Sequence, residues 1–157
     1  MAIAESVQKH LSREGVRYEV VTHERTRDSS HTAQAAHIPG DQLAKCVMLE
    51  DSEGYVMAVL PATHKVDLAA VHQQLDRKLG LATDSELTEL FKDCEPGALP
   101  PLGRAYGLET ILDESLGDLP DIYFEGGDHL ALVHVTGQDF LRLMEAAPRG
   151  RISHHVR

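Results

Sequence analysis

Tryptophan is absent, and four Tyr and three Phe supply all the aromatic content of the 157-residue chain. Stacking platforms for unpaired bases are therefore few. Cysteine is scarce too: Cys46 and Cys94 stand far apart, which excludes a disulfide framework or a zinc ribbon and favours a reducing, cytoplasmic setting. No apolar stretch approaches the roughly 18 residues that a membrane-spanning helix requires. Met1 to Gly15 mixes polar and apolar residues and has no signal-peptide core. Basic residues are outnumbered, 15 Lys and Arg against 25 Asp and Glu, for a net charge of −10. That balance disfavours a general DNA binder, because neutralising phosphates requires a basic surface. No metal is expected, since neither H-E-x-x-H nor C-x-x-C occurs among the ten His and two Cys.

What is present reads as an ordinary globular domain, 42% hydrophobic and 25% charged. The acidic residues concentrate in the middle of the chain, and the end (Arg149, Arg151, Arg157) is basic. Residues 1–147 read as one domain and 148–157 as a basic, flexible tail. Ile3, Val7 and Leu11 mark a helical face that Gly15 ends. Val16–Thr22 alternates as a strand, and Ser29 or Ser30 can cap a helix running to His37. Leu43–Glu50 and Tyr55–Leu60 form a hairpin around Asp51–Gly54. Asp67 caps a helix carrying Leu68, Val71, Leu75 and Leu79, and Asp84 or Ser85 opens a shorter one to Phe91. Cys94–Gly103, with three prolines and two glycines, is a loop. Glu109–Leu112, Ile122–Glu125 and His129–Val135 read as strands, and Thr136 caps a last helix with Phe140, Leu141 and Met144. Irregular alternation of helices, strands and hairpins predicts an α/β single domain with a mixed sheet.

Three constellations can carry chemistry. Lys45 begins the apolar strand L-A-K-C-V-M-L; such a lysine is commonly a solvated strand end, or else a cation holding a phosphate or a developing oxyanion. The rigid segment Glu95–Gly103, containing Gly97, Ala98 and Pro101, suits a pocket wall that exposes backbone N–H groups. Gly126-Gly127-Asp128-His129 permits close ligand approach, and His129 could orient a hydroxyl or move a proton. A plain hairpin turn with a surface histidine is the alternative. His10, His37 and His72 fall on polar helix faces, where solvation is expected, and His154-His155 lies in the tail. Cys46 reads as a small hydrophobe within its strand, with a Cys46–His129 nucleophile pair left open.

Together these segments, in order from Val16 to Met144, resemble the YbaK/prolyl-tRNA synthetase-associated domain family of aminoacyl-tRNA deacylases. The resemblance is carried by Y-E-V-V-T-H ending at His23, A-Q-A-A-H-I-P running into Leu43-Ala44-Lys45, and L-P-A with V-D-L between Val56 and Asp67. It continues through Gly97 and Pro101 at the ends of a G-x-x-x-P loop, then D-E-S-L, I-Y-F and Gly127-Asp128-His129. It implies a mixed, partly barrel-like sheet surrounded by helices. It also implies hydrolysis of the ester joining a small amino acid (Ala, Ser or Cys) to a mischarged tRNA, by a freestanding trans-editing factor without a cofactor. Lys45 and His129 would be catalytic. His23, Cys46, Gly97, Ala98, Pro101, Gly127 and Asp128 would bind substrate. Cys46 after the lysine and Pro100 inside the loop depart from the usual pattern and bear on which amino acid fits.

The implied partner is the acceptor end of an aminoacyl-tRNA, with Lys45, Arg104, Arg25, Arg27 and the tail as a small footprint. A synthetase or elongation factor would deliver it to this acidic protein. No contact with DNA or membrane is expected. Two other readings are a non-catalytic module recognising an aminoacyl-adenosine or a synthetase, and a thiol hydrolase using Cys46 and His129.

Overall fold

The computed structural model describes residues 3–25 and 29–156. Helix α1 (Glu5–Arg13) follows the expected apolar spacing, with Val7 and Leu11 fully buried, and Gly15 takes the left-handed conformation after it. Strand β1 (Glu19–Thr22) is shorter than the alternation predicts. Val16 is withdrawn from it because its N–H closes the end of α1 on the Leu11 carbonyl, 3.0 Å away. Helix α2 (Ser29–Ala35) then leads into β2 (Leu43–Asp51) and β3 (Gly54–Pro61), a hairpin paired from Ala44↔Pro61 to Asp51↔Gly54. Asp51 Oδ1 accepts from the Glu53 and Gly54 N–H groups and fixes the turn. The side chains of Ser29 and Ser30, and the charges of Arg27 and Arg157, lie outside the described residues.

After β4 (His64–Val66), α3 (Leu68–Leu75) starts on the Asp67 carboxylate as expected but stops before Leu79. Asp76 turns left-handed there, so Leu79 reaches the core from the following turn rather than from a helix face. Strand β5 (Gly80–Leu81) and α4 (Asp84–Leu90) follow. The cap of α4 is Thr83, one residue before the expected positions, because Thr83 and Glu86 form a reciprocal capping box. Strands β6 (Glu109–Asp113), β7 (Asp121–Glu125) and β8 (Ala131–Thr136) precede α5 (Gly137–Leu143), which Thr136 caps through the Asp139 N–H.

The tail is not frayed. Strand β9 (Arg149–Gly150) pairs with β6, and β10 (Ser153–His155) pairs with β4. Ile152 between them is fully buried, and its N–H donates to Asp113 Oδ1 at 2.9 Å. Burying that one side chain contributes roughly 1.5–3 kcal/mol, which offsets the ordering of the neighbouring charged residues.

The large sheet runs β1-β8-β7-β2-β3-β6-β9, with β5 joining the far part of β2. It is mixed: β2–β7, β3–β6 and β6–β9 are parallel and the other pairs antiparallel. Strand alternation sorts the core by face. Ala44 and Met48 join the main cluster with Phe91, Phe124 and Phe140, and Cys46 packs against it. From the other face, Leu43 meets Ala33 of α2, Ala62 and Leu132, while Leu49 meets Val71 of α3 and Leu60.

Candidate active site at a split in the sheet

Two different strands share one edge of β2. Strand β7 pairs with its beginning, through Leu43↔Tyr123 and Ala44↔Phe124, and β5 pairs with its end, at Leu49↔Leu81 and Glu50↔Gly80. The Ala82 N–H after β5 donates to the Met48 carbonyl at 3.0 Å, and neither strand covers Lys45 to Val47. The split leaves the backbone of β2 there without a neighbouring strand on this edge. The glycine turn after β7 and the proline loop fill its margins.

Lys45 and Cys46 sit at this split, but strand alternation sends them to opposite faces. Lys45 lies on the face of Leu43 and Val47, half-buried, and its Nζ donates to the Ala62 carbonyl at 3.3 Å. Cys46 lies on the other face, where its Sγ is 3.6 Å from the Leu99 carbonyl and 3.9 Å from that of Pro100. Burial pushes the Cys46 thiol up to about 12, so it remains a thiol donating to loop carbonyls. This environment suits a packing residue and gives a thiolate nucleophile no support.

The proline loop is welded to the glycine turn. His129 Nε2 donates to the Pro96 carbonyl, the Glu95 N–H donates to the Gly127 carbonyl at 2.7 Å, and Arg25 pairs with Glu95. His129 is 7% exposed and adopts a left-handed backbone, which costs a non-glycine residue energy and is held here by these contacts. It is a clamp between turn and loop rather than the surface histidine of a plain hairpin. Asp128 Oδ1 accepts from the Leu130 and Ala131 N–H groups, so it shapes the turn. Gly127 has φ +123, and a Cβ there would lie 3.0 Å from the Ala4 Cβ and 3.4 Å from Cys94 Sγ. The Ala4 N–H in turn donates to the Gly126 carbonyl at 2.7 Å. Gly97 is also left-handed, and Ala98 and Pro101 are buried behind it. Pro96, Gly97 and Leu99 border a cleft of ≈ 440 Å³ whose other wall is α4, through Asp84, Leu87 and Thr88.

The face carrying Lys45 holds two side-chain atoms that are buried without a hydrogen-bond partner, His23 Nε2 and Glu125 Oε2. His23 anchors its backbone N–H on the Leu130 carbonyl and its Nδ1 is 2.7 Å from the Glu24 carbonyl, leaving Nε2 unmatched. Glu125 was not singled out from sequence, where an acidic residue closing I-Y-F-E before two glycines reads as a solvated strand end. It is instead 6% exposed. Its carboxyl accepts from the Thr32 side chain of α2 and from the backbone N–H of His129, and burial raises it to about 7. The alternation in D-I-Y-F-E was the one available signal: Glu125 shares a face with Tyr123, which packs on the α2 side.

The other expected residues disperse. Arg104 pairs with Glu14 at 3.3 Å and borders a separate apolar cleft with Leu108, Leu143 and Met144. His10 is not solvated; it is 5% exposed, with both ring nitrogens unpartnered and its pKa lowered by burial. His72 Nε2 lies 2.7 Å from the Leu79 carbonyl, while His37 is exposed beyond the end of α2. Among the described residues no group of three His, Cys, Asp or Glu could hold a metal ion, and no helix is long and apolar enough to cross a membrane.

The fold is a mixed α/β sheet whose β2 split brings Lys45, the buried Glu125 carboxyl and the glycine turn to one region. The sequence profile of the aminoacyl-tRNA editing domain family matches residues 23–143, and the chain belongs to that family. A crystal structure of a proposed trans-editing enzyme for prolyl-tRNA synthetase is similar at 26% identity and TM-score 0.83, over 95% of both chains. The hypothetical protein APE2540 shares the fold at 19% identity and TM-score 0.83, over 96% of this chain and 100% of that one. A proposed signal transduction protein from Marinobacter aquaeolei VT8 contains the same fold in 30% of its length, at 22% identity and TM-score 0.76 over 94% of this chain. No curated protein sequence is significantly similar.

Proposed function

We propose that this protein is a freestanding trans-editing deacylase that hydrolyses the ester of a small amino acid, such as Ala, Ser or Cys, on a mischarged tRNA. The observation that carries the reading is the split edge of β2, where Lys45 shares a face with two buried, unmatched polar atoms in a chain of the editing-domain family. An aminoacyl ester is already activated, so positioning it beside a water or a substrate hydroxyl suffices. Lys45 would hold the terminal phosphate or the carbonyl oxygen as charge builds there. Backbone N–H groups around Gly97 would add donors. His129 would keep the turn and loop in register, with Gly127, Asp128, Ala98 and Pro101 setting the pocket wall and His23 meeting a ligand acceptor or donor through Nε2. The acidic surface favours delivery of the acceptor end by a synthetase or elongation factor in the cytoplasm, with Arg25 on the rim.

The test is a deacylation panel with tRNAs charged with Ala, Ser, Cys, Thr and Pro, correctly and incorrectly, using wild type and Lys45→Ala. Loss of one mischarged species that depends on Lys45 is the expected result. No turnover of any species, combined with tight binding of an aminoacyl-adenosine analogue, would replace the enzyme by a binding module. Activity that survives Lys45→Ala and disappears in Cys46→Ala would replace it by a thiol hydrolase.

A further inference from the structure

The carboxyl of Glu125 is the one acidic group with a buried oxygen left unmatched among the described residues. A buried carboxylate oxygen without a donor is costly, and burial of a charge is tolerated where an opposite charge arrives to meet it. Thr32 of α2 and the His129 N–H of the glycine turn lie beside the carboxyl and favour its charged form. The parallel register pairs Ala44 with Phe124, and the next residues along are Lys45 and Glu125. They therefore follow the last paired residues of the two strands, where the ladder ends, with side chains on the same face.

A ligand matched to that pair carries a cation next to a polar, partly negative oxygen. In an aminoacyl ester the α-ammonium sits on the carbon adjoining the ester carbonyl. We propose that Glu125 is the receptor for the substrate's α-ammonium group, while Lys45 serves the ester or phosphate side, so that the site reads an amino acid rather than any acyl group. This inference rests on the deacylase reading above. It explains why a carboxyl is retained where an apolar residue would pack without penalty. The position of the carboxyl near its titration midpoint at neutral pH fits a group that waits uncharged or half-charged and ionises when a cation enters. It also assigns Thr32 a role: the hydroxyl holds the carboxyl in line from α2.

The experiment compares alanyl-, seryl- and cysteinyl-tRNA with their α-hydroxy counterparts, made by deaminating the same charged tRNAs. Each rate is divided by the uncatalysed hydrolysis rate of that ester. Wild type should cleave its preferred aminoacyl ester about 10- to 100-fold better than the hydroxyacyl partner, the range of a charged hydrogen bond. Glu125→Gln should bring the two within about threefold, by slowing the aminoacyl ester and sparing the hydroxyacyl one. Thr32→Val, which leaves the carboxyl in place, should shrink the ratio part of the way. Three results would overturn the inference while leaving the deacylase reading intact. Wild type could show no preference for the amine, a result that needs no variant. Folded Glu125→Gln could keep the full preference. Both esters could slow equally in Glu125→Gln, which would assign the carboxyl to ribose or water instead. Failure of wild type to cleave any charged species would overturn the function and the inference together.

Discussion

The two faces of β2 at the split carry neighbouring residues with opposite fates. Cys46 packs on the side of Phe91, Leu99 and Cys94, which also line the cleft against α4, and its thiol donates weakly to loop carbonyls. Lys45, one residue earlier, faces a wall with Glu125 and His23 atoms left unmatched beneath α2. On one face the fold satisfies the polar atom of Cys46, and on the other two polar atoms stay unmatched. Hydrogen-bond satisfaction, more than residue type, separates the two faces of β2, while His10, also buried and unmatched, shows that this cost alone does not mark a site.

The largest effect should come from Lys45→Ala. Removing a cation that meets developing charge should lower kcat/KM by about 10²–10³-fold while the thermal midpoint scarcely moves, checked by deacylation kinetics beside a melting curve. A fall in stability matching the fall in activity would erase the contrast between the faces. Next is Glu125→Gln read as stability. The folded-state value near 7 lies above the usual carboxylate range, so the native protein holds this proton more tightly than the unfolded chain. Stability from this group is therefore fully present below the unfolded value near 4.3 and lost as pH rises through 7, on the order of 3 kcal/mol in all. Urea titrations from pH 4.5 to 8 should show that decline in wild type, and Glu125→Gln should flatten it.

Gly127→Ala comes third. A positive φ and a Cβ 3.0 Å from Ala4 should cost about 1–3 kcal/mol in urea unfolding and loosen the His129 clamp. The smallest effect is expected from Cys46→Ala. It should keep deacylation within about tenfold and unfold about 1 kcal/mol more easily, with any shift confined to which side chain is accepted. Loss of all turnover in a folded Cys46→Ala protein would invert the comparison, giving the Cys46 face the chemistry.

Local signals were legible where a residue's role was settled by its neighbours in sequence. The β2–β3 hairpin, the Asp67 and Thr136 caps and the Gly15 stop all followed from side chains acting on backbone within a few residues. Lys45, the Gly97 segment and Gly127–His129 stood out for the same reason, as unusual residues in short motifs. Errors came where a distant segment decided. The tail read as loose because its charges dominate its composition, yet Ile152 finds a core and β6 and β4 offer free edges. His10 read as solvated on its own helix, but the turn around Arg104 closes over it.

The sequence by itself determined most of the helices and the longer strands, the mixed α/β class and the set of polar and glycine motifs, since these depend on periodicity, caps and turns of short range. Only the tertiary structure decided that β7 and β5 share one edge of β2 and leave a gap, and that Lys45 and Cys46 part company there. It alone decided that Glu125 is buried with an open oxygen. Burial and hydrogen-bond satisfaction are set by what packs from other strands and helices, and no local pattern of residues encodes that.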